Sequence, residues 1–156
     1  AKERDGLDNV RILDYFPREE LHLSLSVADV HLISMRPEMT GIVVPGKLYG
    51  IMSAARPALF VGPAHCESSD LIRRSGGGFT VPFGDADGVV DALLRLRDDR
   101  ELARSMGEKG REAFLAAHEM EPCCRQWYEL ARSLTAPARP TARSVAAVTM
   151  EPAEVG

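Results

Sequence analysis

The segment from Gly41 to Gly62 holds the residues of this sequence that are best suited to bind an anion. The pattern predicts a loop, then the start of a helix, then a short buried strand. Gly46 lets a ligand approach the backbone closely, and Lys47 falls in the first helical turn. Free N–H groups and the dipole at that end of a helix favour an anion and disfavour a cation, the latter by about 1 kcal/mol or less. A phosphate bound over Lys47 and a solvated surface lysine are both compatible with this pattern.

The cysteines and histidines do not form a recognisable metal site. The three cysteines, Cys66, Cys123 and Cys124, contain no CxxC pair, and their odd number favours reduced thiols in a cytoplasmic protein. His65 stands next to Cys66, but no second pair of ligands follows at a spacing typical of zinc sites. The sequence therefore predicts no metal.

Composition narrows the class of protein. The chain has 156 residues with a net charge of −4, from 19 basic and 23 acidic residues that are mixed along its length. This mixture argues against a dedicated nucleic-acid binder, which would need a basic face. No apolar run approaches the ~20 residues of a membrane span, and no signal peptide opens the sequence.

Short apolar runs alternate with longer amphipathic segments, which predicts parallel strands joined by helices. The predicted strands are Val10–Leu13, Asp29–Ser34, Ala58–Val61 and Gly78–Val81. The predicted helices are 17–27, 46–55, 69–75, 87–97, one from 98 to about 118, and a last one from Pro122. In such a sheet, ligands bind beyond the carboxyl ends of the strands, which are the loops 14–17, 35–46 and 62–67.

Finer predictions concern the helices and the end of the chain. The helix at 87–97 should turn Val90, Leu93 and Leu94 inward, and Asp98 with Glu101 should form the capping box of the next helix. The spacing of Trp127, Leu130, Ala131 and Leu134 predicts a core face. Residues 135–156 lack periodicity and are rich in Pro, Ala, Arg, Thr and Ser, so we expect a globular part at 1–134 and a disordered tail.

Four segments in order resemble glycosyltransferases of family 4, in particular the bacterial subgroup that builds surface polysaccharides. Pro45-Gly-Lys-Leu-Tyr-Gly with Ala54-Ala-Arg-Pro57 is similar to that family's P-S-K-L-Y-G…A-A-G-R-P. Asn9–Leu21 resembles N-V-x-F-L…P-x-x-E-L, Ser26–Ser34 resembles A-D-V-x-L, and Gly76–Pro82 resembles G-x-G-x-x-V. Together the segments cover roughly residues 9 to 130.

The resemblance implies an α/β fold, a Rossmann-like parallel sheet with helices on both faces. The chain would be most of the C-terminal, donor-binding half of a GT-B fold, without its first strands and without the acceptor-binding domain. The enzyme would transfer a sugar from a nucleotide diphosphate sugar, by this resemblance a UDP-sugar, to a lipid-linked or saccharide acceptor. No metal or other cofactor is implied, and the isolated chain would be inactive. Cytoplasmic location, with peripheral membrane association through the missing domain, follows from the same resemblance.

The resemblance also suggests site residues. For the diphosphate and sugar they are Thr40, Gly41, Gly46, Lys47, Leu48, Tyr49 and Glu67, and for the base-side loop they are Asp14, Tyr15 and Pro17. No catalytic residue is assigned. The sequence departs from the family pattern at Gly50, which stands where the wider family has the second glutamate of E-x7-E, and at Gly46, which replaces a serine.

Two other interpretations remain open at this stage. A nucleotide-sugar 2-epimerase shares the two-domain fold, although the order of segments fits it less well. A non-enzymatic flavodoxin-like or receiver-like binding module would need a flavin loop or an acidic cluster after an early strand. Asp14-Tyr-Phe-Pro17 supplies neither convincingly.

Overall fold

Three short parallel strands form the sheet in the order β1-β2-β3 in a computed structural model that describes residues 6–135. The strands are β1 (His31–Ser34), β2 (Ala58–Val61) and β3 (Gly78–Val81). The α-helices are α1 (Leu21–Val27), α2 (Lys47–Ser53), α3 (Glu67–Ser75), α4 (Ala86–Asp98), α5 (Arg100–Ala117) and α6 (Met120–Thr135). Short 3-10 helices at Arg18–Glu20 and Pro37–Met39 complete the regular structure of these residues.

Helices cover both faces of the sheet, as the predicted α/β class requires. Phe60 of the central strand is fully buried in the larger core, where residues of α2 and α3 such as Ile51 and Ile72 pack against the sheet. Leu59, the next residue along β2, points to the opposite face and packs with Val81 and Ala92 of α4. Burial on both faces explains why this strand is a continuous apolar run rather than an alternating one.

The outer edge of β1 is open in the part of the chain that the structure describes. The N–H groups of His31 and Met35 donate to β2-side carbonyls at 3.1 and 2.9 Å. Successive peptide groups of a strand point to opposite sides, so the carbonyl of Leu32 faces away from β2. The Leu32 side chain is also 53% exposed.

The predicted strand at Val10–Leu13 is wrong. These residues form no regular structure and are exposed, with Ile12 at 80% and Leu13 at 69%. A strand exists only as a partner of another strand, and β1 pairs with β2 alone within residues 6–135. The apolar pattern of the segment is suited to a strand, but its pairing is not formed.

Two helix details also differ from prediction. Helix α4 buries Ala92 and Leu96, whereas Val90, Leu93 and Leu94 are 39–51% exposed, because the helix presents the neighbouring stripe to β2 and β3. The cap of α5 is Asp99 rather than Asp98, since the Asp99 carboxylate accepts a hydrogen bond from the Leu102 N–H at 2.8 Å.

Helix α6 begins at Met120, two residues before the predicted start, and it buries none of its residues. Trp127, predicted to belong to the core, is 72% exposed. The predicted tail beyond Thr135 and the predicted helical turn at 1–5 lie outside the described residues. Among residues 6–135, no helix combines the length and the apolar character needed to cross a membrane.

Close backbone packing joins the end of α2 to the middle of α5. Gly107 of α5 lies against the Ala55 carbonyl, where a β-carbon on Gly107 would overlap the carbonyl oxygen. Ala55 itself has a positive φ of 53°, in the left-handed region that favours glycine. The chain reverses at this residue to enter β2.

We expect Ala55→Gly to stabilise the fold by about 0.5–1 kcal/mol. Relief of the left-handed strain on Ala55 contributes roughly 1–2 kcal/mol, and the greater freedom of glycine in the unfolded chain offsets part of it. Urea unfolding would measure the difference. The matched control is Ala54→Gly, where φ is −77° and no strain is relieved, so that this variant should lose stability. Equal effects at both positions would contradict the strain at Ala55.

A buried histidine connects α1 to β1. His31 is 8% exposed, and its Nε2–H donates to the Leu25 carbonyl at 2.8 Å. Burial holds the pKa of His31 below its ordinary value of 6.5, and the positive charges of Lys47 and Arg56 lower this pKa further. The hydrogen bond to the carbonyl opposes these effects without reversing them.

His31 should therefore make stability fall as the pH drops below about 6.5. In that range the unfolded chain binds a proton that the folded protein resists, so the free energy of unfolding declines with falling pH. Urea unfolding at about pH 7.5 and about pH 5.5 should show a smaller difference for His31→Gln than for the unmodified chain. His22→Gln, on the exposed surface of α1, is the control and should keep the full difference. An unchanged pH dependence in His31→Gln would refute the assignment.

Candidate functional site

The carboxyl ends of the three strands meet at one edge of the sheet, and the loops that leave them enclose a small cavity. Its volume is about 280 Å³, and it lies between the loop after β1 and the start of α3. The lining residues are Met35, Thr40, Gly41, Ile42, Val43, Val44, Cys66, Glu67 and Ser68. Three of the predicted site residues, Thr40, Gly41 and Glu67, are thus brought together.

The loop after β1 forms one wall of the cavity. A 3-10 turn at Pro37–Met39 shapes it, and the Thr40 hydroxyl donates to the Pro37 carbonyl at 2.8 Å. Gly41 has a positive φ of 78°, which lets the chain bend sharply at this point. The following apolar residues, including Val43 and Val44, complete a wall that carries few polar groups beside the Thr40 hydroxyl.

The opposite wall is the start of α3, which the structure fixes firmly. The hydroxyl of Ser69, fully buried, accepts from the Cys66 N–H at 3.0 Å and lies 3.0 Å from the Ala64 carbonyl. The Arg73 guanidinium donates to the same carbonyl at 2.6 Å. The loop between β2 and α3 is therefore held from two sides, and Glu67 projects from a rigid support.

Glu67 has one charged neighbour. Arg74 Nη2 lies 3.6 Å from Glu67 Oε1, and both side chains are more than half exposed. Such a surface pair contributes little to stability, so the Glu67 carboxylate stays available for hydrogen bonds to a ligand.

Lys47 does not line this cavity. Its Nζ donates to the Leu32 carbonyl at 3.2 Å, across the open edge of β1. Gly46 precedes it in an ordinary right-handed conformation, and a β-carbon there would meet no atom within 4 Å. The ammonium group thus lies on the exposed surface beside the sheet.

The next two residues of α2 face the protein. The Leu48 side chain is fully buried in the core, and its N–H donates to the Pro45 carbonyl at 3.0 Å. Tyr49 is half-buried, with its ring centroid 5.2 Å from that of His118 at a 50° tilt. Both residues therefore have packing roles.

The base-side residues Asp14, Tyr15 and Pro17 lie in the irregular segment before α1, and all three are exposed. None of them lines the cavity between Thr40 and Glu67. Within residues 6–135, no group of three His, Cys, Asp or Glu side chains is arranged to hold a metal ion.

The sequence analysis missed the residues that hold the site together. Ser69 and Arg73 were placed in a helix without a role, although they anchor the loop that ends at Cys66. A serine three residues after the helix cap is the signal that could have revealed the capping box.

Comparisons with known proteins add the family context. No protein-family profile matches the chain. It is 33% identical over 95 residues to the probable glycosyltransferase WbjE of Pseudomonas aeruginosa, covering 61% of this chain and 23% of that protein. It is 32% identical over 94 residues to the amylovoran biosynthesis glycosyltransferase AmsK of Erwinia amylovora, covering 57% and 22%. The resemblance to family 4 glycosyltransferases is confirmed.

A relative with a different printed activity is the exopolysaccharide phosphotransferase SCO2592 of Streptomyces coelicolor, 30% identical over 102 residues. That match covers 63% of this chain and 10% of the relative. The fold matches sucrose-phosphate synthase of Thermosynechococcus elongatus, a GT-B protein, with a TM-score of 0.71 and 24% identity over 85% of this chain and 32% of that one. The chain therefore has the fold of part of a GT-B protein, and it spans about a quarter or less of the length of the curated relatives named here.

Proposed function

We propose that this chain is the nucleotide-sugar-binding part of a glycosyltransferase that acts in polysaccharide synthesis. The observation that carries the proposal is the sequence similarity to two glycosyltransferases over more than half of this chain. The whole enzyme would transfer a sugar from a nucleotide diphosphate sugar to a saccharide or lipid-linked acceptor. The epimerase and the flavodoxin-like module are not favoured by these relatives.

The sugar end of the donor would lie at the cavity beyond the strands. In open parallel sheets, ligands bind at this edge. The Glu67 carboxylate accepts hydrogen bonds and the Thr40 hydroxyl both donates and accepts, which suits the hydroxyl groups of a sugar. Gly41 leaves the backbone open to close approach. The rigid attachment of the α3 start supports this assignment because a preorganised site loses less entropy on binding.

The diphosphate would lie over Gly46 and Lys47. The hydrogen bond from Lys47 to the Leu32 carbonyl is on the surface, and such a bond contributes only about 1 kcal/mol. The ammonium can exchange the carbonyl for a phosphate oxygen, a charge-assisted contact that is roughly twice as strong. Positive charge there would stabilise the diphosphate as it leaves the sugar. Leu48 and Tyr49 would act indirectly, by fixing the helix that carries Lys47.

The base would lie toward Asp14, Tyr15 and Pro17, and uracil is the base we propose. The reaction would need no metal. Residues 1–134 would be part of the C-terminal domain of the enzyme, with the acceptor bound by the other domain, so the chain alone would not transfer sugar. The enzyme would work in the cytoplasm, with membrane association through that other domain.

Thermal unfolding with UDP, GDP, ADP and TDP tests the donor assignment on the chain as it exists. A ligand that binds only the folded state raises the melting temperature in proportion to its concentration relative to Kd. We expect UDP to give the largest rise and uridine, which lacks phosphate, to give a much smaller one. Equal curves with all four diphosphates and without ligand, up to millimolar concentrations, would contradict the proposal.

The phosphotransferase relative provides a second candidate, transfer of a sugar phosphate instead of a sugar. The two reactions on a nucleotide diphosphate sugar leave different products. Glycosyl transfer breaks the bond between sugar and diphosphate and releases a nucleoside diphosphate. Sugar-phosphate transfer breaks the bond between the phosphates and releases a nucleoside monophosphate. Chromatography of the nucleotide released by the complete protein separates the candidates, and we expect the diphosphate.

A further inference from the structure

Helix α6 carries an apolar stripe that the rest of the described structure leaves uncovered. Met120, Trp127 and Leu134 lie along one face at a spacing of seven residues and are 78%, 72% and 77% exposed. The contact of α6 with the body of the molecule is near its start, where the Cys123 thiol lies 3.5 Å from the Ala117 carbonyl oxygen at the end of α5. From Cys124 to Thr135 every residue is exposed.

Such a helix is poorly stabilised by itself. Isolated helices shorter than about 12–15 residues are marginal in water, and most helix stability in proteins comes from packing of the apolar face. The charges of α6 are already paired along the helix, Arg125 with Glu121 at 2.6 Å and Arg132 with Glu129 at 2.7 Å. The unsatisfied part of α6 is therefore its apolar stripe, and the partner that suits it is another apolar helix face.

The spacing of the stripe fits a second copy of the same helix. Met120 and Leu134 lie at equal distances on either side of Trp127, and Cys124 and Leu130 also lie at equal distances from it. A two-fold axis through Trp127 would pack Met120 of one antiparallel helix on Leu134 of the other. A closed two-fold pair requires this kind of self-complementary face.

The attachment of α6 favours the antiparallel direction. The globular body joins α6 at its Met120 end, through α5. In an antiparallel pair the two bodies lie at opposite ends of the helices, whereas in a parallel pair they would compete for the same space. The flanking positions are also compatible, because Gln126 would lie across from Tyr128 of the second copy and no like charges meet.

We propose that α6 is a self-association helix that pairs antiparallel with α6 of a second copy, with Trp127 at the two-fold axis. One helix from each side makes a small interface, below the ~1,200 Å² of standard stable complexes. The pairing is therefore weak and depends on concentration. It is independent of the proposed enzymatic function.

Sedimentation velocity of the whole chain over a concentration series tests the pairing. We expect the mass to rise from that of the 17.0 kDa monomer toward twice this value, with helical circular dichroism increasing in parallel. Trp127→Ser should stay monomeric at every concentration. The control Phe83→Ser removes an aromatic side chain that is 55% exposed in the turn before α4, and it should still associate. A monomer at all concentrations, or unchanged association of Trp127→Ser, would overturn the proposal.

Disulfide crosslinking tests the direction of the helices. After mild oxidation of Leu130→Cys, we expect peptide mapping to find Cys124 of one copy joined to the introduced thiol of another. The partly buried Cys66 should stay reduced and serves as the internal control. A dominant link between Cys124 and Cys124 would indicate parallel helices and overturn the antiparallel register.

Discussion

Lys47→Ala should weaken binding of the preferred nucleoside diphosphate at least tenfold while leaving the urea midpoint almost unchanged. An ammonium–phosphate hydrogen bond contributes about 1.5–3 kcal/mol, which corresponds to a factor of roughly 10 to 150 in Kd. Stability changes little because two small effects oppose each other. The variant loses an exposed bond to the Leu32 carbonyl but also removes a cation from the start of a helix, where it is disfavoured by about 0.3–1 kcal/mol.

Titration calorimetry and urea unfolding on the same preparations separate these effects. Lys109→Ala, on the surface of α5, is the matched control and should bind the diphosphate as the unmodified chain does. If Lys47→Ala binds with unchanged affinity, the diphosphate does not lie over α2, and the lysine is a surface residue of the sheet edge.

Gly107→Ala should destabilise the fold by about 3 kcal/mol or more. The new β-carbon would overlap the Ala55 carbonyl, which is backbone and fixed by the chain reversal into β2, so either the helix or the strand must shift. Inserting a carbon into a packed interior costs typically about 1–3 kcal/mol, and a backbone clash lies at or beyond the upper end.

Gly110→Ala, one turn later on α5, is the matched control. Its β-carbon would lie 3.6 Å from the Gly77 α-carbon, an ordinary van der Waals distance. Alanine is favoured over glycine in a helix by about 1 kcal/mol, so this variant should be neutral or more stable. Urea unfolding distinguishes the two, and similar midpoints for both variants would mean that α5 does not approach α2 this closely.

The sheet was predictable where a strand is buried on both faces. β2 begins and ends at the predicted residues, because Pro57 and Gly62 bound a run that is apolar throughout. Val10–Leu13 has an equally good local pattern, but a strand also needs a neighbour, and no local pattern contains that information.

The helix faces show the limit of periodicity. The apparent apolar face of α5 included Leu102 and Met106, yet the structure buries Ala103, Gly107 and Gly110. Contact with α2 depends on small residues that let the backbones approach, and such residues contribute little to a hydrophobic pattern. The prediction that Trp127 is buried failed because an amphipathic pattern gives the direction of the apolar face without showing what covers it.

The candidate site was predictable in outline. Thr40, Gly41 and Glu67 meet because the carboxyl ends of parallel strands share one edge of a sheet. The direction of the Lys47 side chain was not predictable, since a long flexible chain takes the nearest acceptor, here the Leu32 carbonyl. The anchoring of the loop by Ser69 and Arg73 depends on atomic distances that residue types alone do not contain.

The open edge of β1 has a consequence for handling the purified chain. A strand edge with free peptide groups can recruit the edge of another molecule and start aggregation. Lys47 covers one of these groups with a charge, which is how natural proteins discourage such recruitment. Removing this charge should make concentrated samples turn cloudy sooner, and high salt, which screens it, should act in the same direction. The same lysine would thus protect the chain against misassembly whenever no ligand is bound.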